Sequence, residues 1–564
     1  MTAEFPVALI LVLGAMLVPL LRGLVRKGWM LLLPVVAFAW LLALPHGTYG
    51  QIELLGQTLV LMRVDKLSLL FGYVFLVAAF LCVVYALHVE DTMQHVASLI
   101  YVGAAIGAVF AGDLLSLFVY WELTAVSSVL LIWARRSEHS PATGMRYVLV
   151  QLLSGMLLLA GALMHWRGTG SLEFGRIAAS DPAGLMILLA FGIKAAFPLL
   201  HNWLPDAYPE ATPTGTVVLS AFTTKLGIYA LARGFPGTEA LIWIGTVMAA
   251  FPIFYAVIEN DLRRVLAYSM NNQLGFMVVG IGIGSELAIN GAVAHAFADI
   301  LFKGLLFMSM GAVLLRAGTV KGSELGGLYK SMPWTTAFCM VGAASISAFP
   351  LFSGFVTKSM IMTAAADEGL VLNWLILLFA SAGVFHHAGI KIPYFAFFAH
   401  DSGIRCDEAP RNMLLAMGIA AALCVGIGVY PDALYSLLPY AAGYEPYTAS
   451  HVAAQLQLLF FSALAFAVLM RTGIYPPELP SVNLDSDWLY RRATPRAITA
   501  LRVTWRQLGT GFGEWLNAGT ASVGDLVSRH RRPAGLLLRT WPTGSMALWV
   551  MVMLLGYLAL YYLR

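Results

Sequence analysis

Apolar blocks long enough to cross a bilayer recur along this whole chain and constrain its fold more than any other feature. A membrane-spanning helix needs about 20 mostly apolar residues, and on that rule the sequence predicts about 14–16 transmembrane helices. Composition agrees, because 59% of the residues are hydrophobic and only 11% are charged, against roughly 25% charged in a soluble domain. The sequence therefore predicts an all-α polytopic membrane protein.

Basic residues in the loops predict the orientation of these helices. One alternate set of loops carries Arg22, Arg26, Lys27, Arg135, Arg136, Arg146, Arg263, Arg264, Arg316, Lys321, Lys330, Arg405 and Arg411. The opposite set has only Arg63, Lys66, Arg167, Arg176 and Arg233. Because Lys and Arg are enriched in cytoplasmic loops, the first set is predicted to face the cytoplasm, which leaves the N-terminus outside.

Two apolar blocks contain similar proline motifs, KAAFPLL around Pro198 and SISAFPLFSGF around Pro350. A proline inside a helix removes a hydrogen bond and clashes with the preceding turn. The bilayer tolerates such a break where protein or a wet cavity covers the freed backbone. Matching breaks in two halves indicate a transporter built from inverted repeats; a simple proline kink is the alternative for either motif alone.

Ionisable residues lie inside these apolar blocks, where an uncompensated charge costs several kcal/mol and therefore indicates function. They are Glu122, Lys194, Lys225 and Lys391. Glu122 is the natural counter-charge of Lys194, either as a switch in a proton path or as a static ion pair between helices. Since the lysines outnumber the nearby acids, we favour a path for protons.

A second group of titratable residues follows one helix face. His295, Asp299 and Lys303 are spaced four apart and therefore share a face, and His387 and Lys391 repeat this spacing. Histidine titrates near neutral pH and suits proton relay. The alternative is an intrahelical ion pair between Asp299 and Lys303 that leaves relay to His295 alone.

Motifs for covalent chemistry are missing from the sequence. The four cysteines have no CxxC or metal-ligand spacing, and no phosphate loop or catalytic triad is present. We therefore expect no cofactor, no metal site, no nucleic-acid partner and no enzymatic activity of the chain itself.

The C-terminal part differs in character. Residues 477–540 are polar and rich in arginine, and apolar residues recur there at spacings of three and four, namely Ile498, Leu501, Trp505, Leu508, Phe512 and Trp515. This pattern predicts an amphipathic segment on the membrane surface or on the flank of a partner, with a surface linker as the alternative. A terminal transmembrane helix is predicted in residues 541–564.

Several stretches, in order, resemble the antiporter-like subunits shared by Mrp-type multisubunit sodium/proton antiporters and respiratory complex I. They are WEL at 121–123, FGIKAAFPLLHNWLPDAYPEA at 191–211, TTKLGIYAL at 223–231, DLRRVLAYSMNNQLGFM at 261–277, HAFADILFKGLLFMSMGAV at 295–313 and SISAFPLFSGFVTKSMI at 345–361. The last three are most similar to the D subunit of the Mrp type. The resemblance implies a bacterial inner-membrane protein, partner membrane subunits, and protons with Na⁺ or K⁺ as the transported ions.

The resemblance also implies a domain order, with two inverted five-helix repeats that each hold a half-channel. The boundaries are N-terminal helices in 1–92, the first repeat in 93–235, the second in 236–400, and additional helices in 401–476. By position, Glu122 and Lys194 would form the modulating ion pair, Lys225 the connecting lysine, His295 and Lys303 part of a central axis, and Lys391 the terminal lysine.

Two residues depart from the family pattern. Asp299 and Gln151 both stand where histidine is more common among the relatives. Asp299 could clamp Lys303 or act as a cation ligand. We therefore interpret the chain as a proton-translocating subunit of a cation/proton antiporter, with a pumping subunit of a complex I-related energy-converting complex as the alternative.

Overall fold

The computed structural model describes residues 5–54, 56–479, 483–494, 496–500 and 543–562. Its helices are α1 (Val7–Leu17), α2 (Gly23–Leu42), α3 (Lys66–Ala86), α4 (Thr92–Phe110), α5 (Leu114–Trp133), α6 (Ser140–Thr169), α7 (Pro182–Lys194), α8 (Trp203–Ala207), α9 (Pro213–Gly234), α10 (Ala240–Ile258), α11 (Leu262–Ile283), α12 (Glu286–Ala317), α13 (Pro333–Ile346), α14 (Ser353–Asp367), α15 (Val371–Val384), α16 (Arg411–Val429), α17 (Asp432–Tyr435), α18 (Ala449–Thr472) and α19 (Thr543–Tyr562). Two π-helical turns, Phe385–Lys391 and Tyr394–Phe398, continue α15.

Most of these helices can cross a membrane. Eleven are long and apolar enough by length and composition, and three shorter apolar helices accompany them in the described residues. α11 is long enough but carries polar residues at its middle, including Asn271, Asn272 and Gln273. The prediction of a helical polytopic membrane protein is confirmed.

A β-hairpin was not predicted by the sequence analysis, which treated the fold as all-helical. Its strands are β1 (Gly47–Leu54) and β2 (Gln57–Val64), paired antiparallel from Gly47 opposite Val64 to Leu54 opposite Gln57. Gly56 supplies the positive φ of the tight turn, 73°. The Asp113 carboxylate accepts a hydrogen bond from the Val60 amide at 2.8 Å, which attaches the hairpin to the start of α5.

Polar contacts near the helix ends join members of each predicted set of basic residues to separate groups of partners. In the arginine-rich set, Arg26 donates to Thr92, Arg136 pairs with Asp91, and Arg146 pairs with Asp206. In the other set, Arg63 pairs with Glu173, and Arg233 pairs with Asp65 at 2.8 Å. Burial opposes ionisation of Asp65, but its bonds to Arg233 and to the Ser68 amide lower its pKa below the usual value.

Both proline motifs interrupt a helix with the same backbone geometry. In the first break, Ala196 and Leu199 adopt left-handed conformations with φ of 61° and 69°; in the second, Ala348 and Leu351 do so with φ of 56° and 73°. The hydrogen bonds match as well. Phe197 N donates to Gly192 O at 2.9 Å, and Phe349 N donates to Ala344 O at 3.0 Å. Each AFPL sequence therefore ends one half-helix and redirects the chain.

The chain divides into two compact units, Met1–Asn483 and Leu484–Arg564. The second contains α19, which lies within the range predicted for a terminal span; that this helix crosses the membrane stays a prediction. Most of the predicted amphipathic segment, from Leu501 to Trp515, lies outside the described residues. The domain boundaries predicted within the first unit remain predictions, since they depend on repeat symmetry.

Candidate functional site: a buried chain of charged residues

Lys194 is the last residue of α7 and lies directly before the first break. Its side chain is fully buried, and its Nζ donates to Trp121 O at 3.0 Å and to Thr124 Oγ1 at 2.5 Å. The same nitrogen lies 4.2 Å from the centre of the Trp121 ring, a cation–π contact. Gly227 of α9 permits close approach behind it, since a Cβ there would lie 2.7 Å from Ala195 N.

Glu122 lies in the same turn of α5 as Trp121 and Thr124, but its side chain makes no direct contact with Lys194. None of the ion pairs within 4.0 Å among the described residues joins the two. The carboxylate instead lies against α6, so closely that a Cβ added at Gly155 would overlap Glu122 Oε1. Glu122 and Lys194 thus lie on different helices, α5 and α7, and their direct pairing needs a side-chain movement.

Gln151 is buried in α6, one turn before Gly155. Neither its amide nitrogen nor its amide oxygen has a hydrogen-bond partner in the described structure. Three residues further on, Ser154 Oγ accepts from Trp121 Nε1 at 2.9 Å and donates to Ala190 O at 2.7 Å. A buried amide with free donors and acceptors is typical of a site that holds water.

Lys225 of α9 and Asp299 of α12 form an ion pair at 2.6 Å, and both side chains are fully buried. Lys225 Nζ also donates to Ser220 O at 3.1 Å. The sequence left open an ion pair between Asp299 and Lys303. In the structure the Asp299 carboxylate contacts Lys225 on the neighbouring helix instead. This ion pair connects α9, which follows the first broken helix, with α12, which precedes the second broken helix formed by α13 and α14.

His295 and Lys303 flank this ion pair along α12. His295 lies between two polar partners, with Nε2 3.1 Å from Gln273 Oε1 and Nδ1 3.0 Å from Thr357 Oγ1. Lys303 Nζ donates to Leu266 O at 3.3 Å. The common face predicted for His295, Asp299 and Lys303 therefore points into the interior, where all three are fully buried.

Sequence reasoning missed Lys358, a buried lysine of α14 beyond the second break. Its Nζ donates to Ile346 O at 3.2 Å and lies 4.9 Å from the Phe276 ring centre. It also lines a cavity of about 340 Å³ between α14, α15 and α18. The repeated AFPL motif did not identify it, because Lys358 lies eight residues after Pro350 whereas Lys194 lies four residues before Pro198.

His387 and Lys391 lie on the π-helical turn after α15 and are fully buried. Neither ring nitrogen of His387 has a hydrogen-bond partner in the described structure. Lys391 Nζ contacts Glu478 Oε1 at 2.9 Å. Glu478 follows α18 and was not singled out from the sequence, since 87 residues of chain separate it from Lys391.

Together these side chains form an interior polar path through an otherwise apolar bundle. Each ammonium has an oxygen or a ring beside it, and His295 can accept or donate at either nitrogen. Such groups can pass protons through short side-chain movements and bridging waters. No group of three or more His, Cys, Asp or Glu suited to a metal occurs in the described residues.

Such a bundle, with two broken helices around buried lysines, defines a class of ion-translocating membrane subunits. Residues 111–385 match the family model described as "NADH:quinone oxidoreductase/Mrp antiporter, TM". The chain is similar to the antiporter-like membrane subunits shared by Mrp-type antiporters and complex I. The predicted resemblance is confirmed.

Three relatives illustrate the range of the superfamily. The chain is 30% identical to the A subunit of the Na(+)/H(+) antiporter of Alkalihalophilus pseudofirmus over 74% of its length, and it spans 60% of that relative. It is 29% identical to the D subunit of the Na(+)/H(+) antiporter of the same organism, with 59% of this chain and 72% of the relative covered. It is 27% identical to hydrogenase-4 component B of Escherichia coli, and the match covers 85% of this chain and 78% of that relative.

A solved structure has a similar fold. A chain of the membrane-bound sulfane sulfur reductase, an archaeal respiratory membrane complex, matches with a TM-score of 0.71 and 22% identity. The match covers 98% of this chain and 99% of that one.

Proposed function

We propose that this chain is the proton-translocating membrane subunit of a multisubunit monovalent cation/proton antiporter. Protons move along Glu122, Lys194, Lys225, Asp299, His295, Lys303, His387 and Lys391, to which the structure adds Lys358. The observation that carries the proposal is the fully buried Lys225–Asp299 pair at 2.6 Å. A static ion pair at this place would cost desolvation energy for little gain in stability. At a junction between two half-channels, in contrast, both side chains could take part in proton transfer.

Several finer points belong to the same proposal. The arginine-rich set of loops faces the cytoplasm of a bacterial inner membrane, with the N-terminus outside. The chain acts as a transporter component among other membrane subunits, and Na⁺ or K⁺ is the exchanged ion. The two inverted repeats occupy residues 93–235 and 236–400, and the segment 477–540 lies along the membrane surface or a partner.

The test uses everted vesicles that contain the assembled complex, with proton exchange started by Na⁺ or K⁺. Lys225→Ala and Glu122→Ala should each abolish exchange while the complex still assembles. Lys321→Ala is the matched control, because Lys321 is half-exposed and pairs with Glu324 at the surface, so exchange should persist. Wild-type rates in both interior variants would reject the path.

A second candidate is a proton-pumping subunit of a complex I-related, energy-converting complex. It is favoured by the match over nearly the full length to a respiratory membrane complex and by the long match to a hydrogenase component. The two candidates differ in what drives protons. Proton movement on addition of Na⁺ or K⁺ supports the antiporter, and movement that needs a redox substrate of a co-purified partner, without either cation, supports the pump.

A further inference from the structure

An unusual set of oxygens surrounds the ammonium group of Lys391. Its Nζ lies 3.2 Å from Ala256 O, 2.7 Å from Val257 O and 2.7 Å from Glu259 O. The fourth oxygen is Glu478 Oε1, at 2.9 Å. We call these four oxygens the Lys391 cradle.

The cradle offers more acceptors than the lysine can use. An ammonium has three N–H donors, and four oxygens surround it. Its three carbonyls come from the C-terminal end of α10 and the residue that follows, where carbonyl groups lack helical partners. The partial negative charge at a helix C-terminus favours a cation there.

The other buried lysines have fewer oxygens around them. The described structure gives Lys194 two oxygen partners, Trp121 O and Thr124 Oγ1. Lys303 and Lys358 each donate to a single carbonyl. Among the buried lysines of the described residues, Lys391 has the largest number of oxygens around its ammonium, and this set resembles the oxygen shell of a metal cation.

The nearby charges also favour a cation. Two buried carboxylates, Glu478 and Glu259, lie on this side of the bundle, and Glu259 Oε2 accepts from Asn483 and lies 4.0 Å from Arg264. His386, His387 and Tyr475 are further titratable groups near this region. With the lysine withdrawn, two carboxylates would face a single arginine, and this negative excess attracts a positive ion.

We propose that the Lys391 cradle is a binding site for a dehydrated monovalent metal cation of the size of K⁺, which the Lys391 ammonium occupies as a tethered competitor. Ammonium and K⁺ are similar in size, and the distances of 2.7–3.2 Å leave more room than Na⁺ requires. Carbonyl oxygens replace the hydration shell of K⁺ in ion-selective sites. A turn of π-helix, which is frequent at functional sites, carries the lysine into the cradle.

Exclusive occupancy would link the two ions of an antiporter. While the ammonium fills the cradle, no metal cation can enter; when a cation fills it, the lysine must leave. This coupling role rests on the proposed function, whereas the binding site itself does not.

The test is a titration of the purified full-length protein with KCl in choline chloride buffer, followed by calorimetry. Lys391→Ala should bind one K⁺ saturably, and wild-type protein should show no such site at the same concentrations. Adding Glu478→Gln to Lys391→Ala should weaken binding by about tenfold or more, because a charged ligand is lost. Lys391→Ser offers a second vacated cradle if the alanine variant folds poorly.

Lys358→Ala is the matched control. It also removes a buried lysine, but the ammonium of Lys358 has only one carbonyl partner, Ile346 O, in the described structure. It should show no K⁺ site. Equal binding by this control, equal binding by wild-type protein, or no binding by either Lys391 variant would overturn the proposal. The measurement needs no gradient, so loss of exchange in vesicles and loss of K⁺ binding can be told apart.

Discussion

The two broken helices share one backbone design but carry their lysines on opposite sides of the break. Lys194 ends α7, before the first AFPL motif, whereas Lys358 lies in α14, after the second. Ala196 and Ala348 are 152 residues apart, and so are Lys194 and Ile346. The residue that corresponds to Lys194 is therefore an isoleucine.

Lys358 nevertheless reaches the corresponding place. Its Nζ donates to the carbonyl oxygen of Ile346 itself at 3.2 Å. Each break thus has an ammonium beside the end of its first half-helix, with an aromatic ring near it. The comparison teaches that the break determines where the charge lies, and that either half-helix can supply it.

The largest expected effect comes from removing either lysine. Lys194→Ile and Lys358→Ile should each lower exchange in everted vesicles by roughly 100-fold or more, the loss typical of a missing proton-transfer group. The reason is that each variant removes the ammonium group from one of the two helix breaks. If Lys358→Ile kept full exchange, the equivalence of the two breaks would be wrong.

Moving the second lysine sharpens the comparison. The double variant Ile346→Lys/Lys358→Ile places a lysine at the position that matches Lys194 and should recover part of the exchange lost in Lys358→Ile. The measurement is the initial rate in vesicles at equal expression. A double variant as inactive as the single one would show that the ammonium must come from α14.

A feature specific to the first half is the contact between Glu122 and Gly155. Gly155→Ala should lower exchange several-fold without unfolding the protein, because the added methyl displaces a flexible carboxylate and leaves the backbone in place. Gly426→Ala in α16 is the matched control, since nothing lies within 4 Å of its Cβ. Equal rates in both variants would argue against a role for the position of Glu122.

The smallest expected effect concerns the strained alanines of the breaks. Ala196→Gly and Ala348→Gly remove a side chain from a left-handed conformation, which costs about 1–2 kcal/mol for residues other than glycine. Glycine loses more backbone entropy on folding, so each variant should be stabilised by at most about 1 kcal/mol in thermal unfolding. Opposite signs at the two positions would contradict the shared backbone geometry.

Much of the architecture could be predicted because it depends on local patterns. Apolar length predicted the spans, and proline within an apolar block identified the breaks at Pro198 and Pro350. The spacing of His295, Asp299 and Lys303 placed them on one face. The β-hairpin was missed because its alternation, QTLVLMRV, stands beside long apolar helices and resembles part of them.

Partnerships between charges could not be predicted in the same way. Asp299 had two candidate roles by spacing, yet it contacts Lys225, 74 residues away in the chain. Glu478 meets Lys391 from the segment after α18, and no periodicity relates the two. Lys358 was overlooked because a lysine eight residues after a proline carries no signal by itself.

The amino-acid sequence alone determined that this chain spans a membrane, where its helices break, and that charges such as Lys194 and Lys225 are buried, because each depends on the transfer of nearby side chains from water to an apolar medium. The tertiary structure decided which buried charges meet, since pairing depends on how separate helices pack. The Lys225–Asp299 pair, the position of Lys358 over Ile346 and the four-oxygen cradle of Lys391 all arise from that packing.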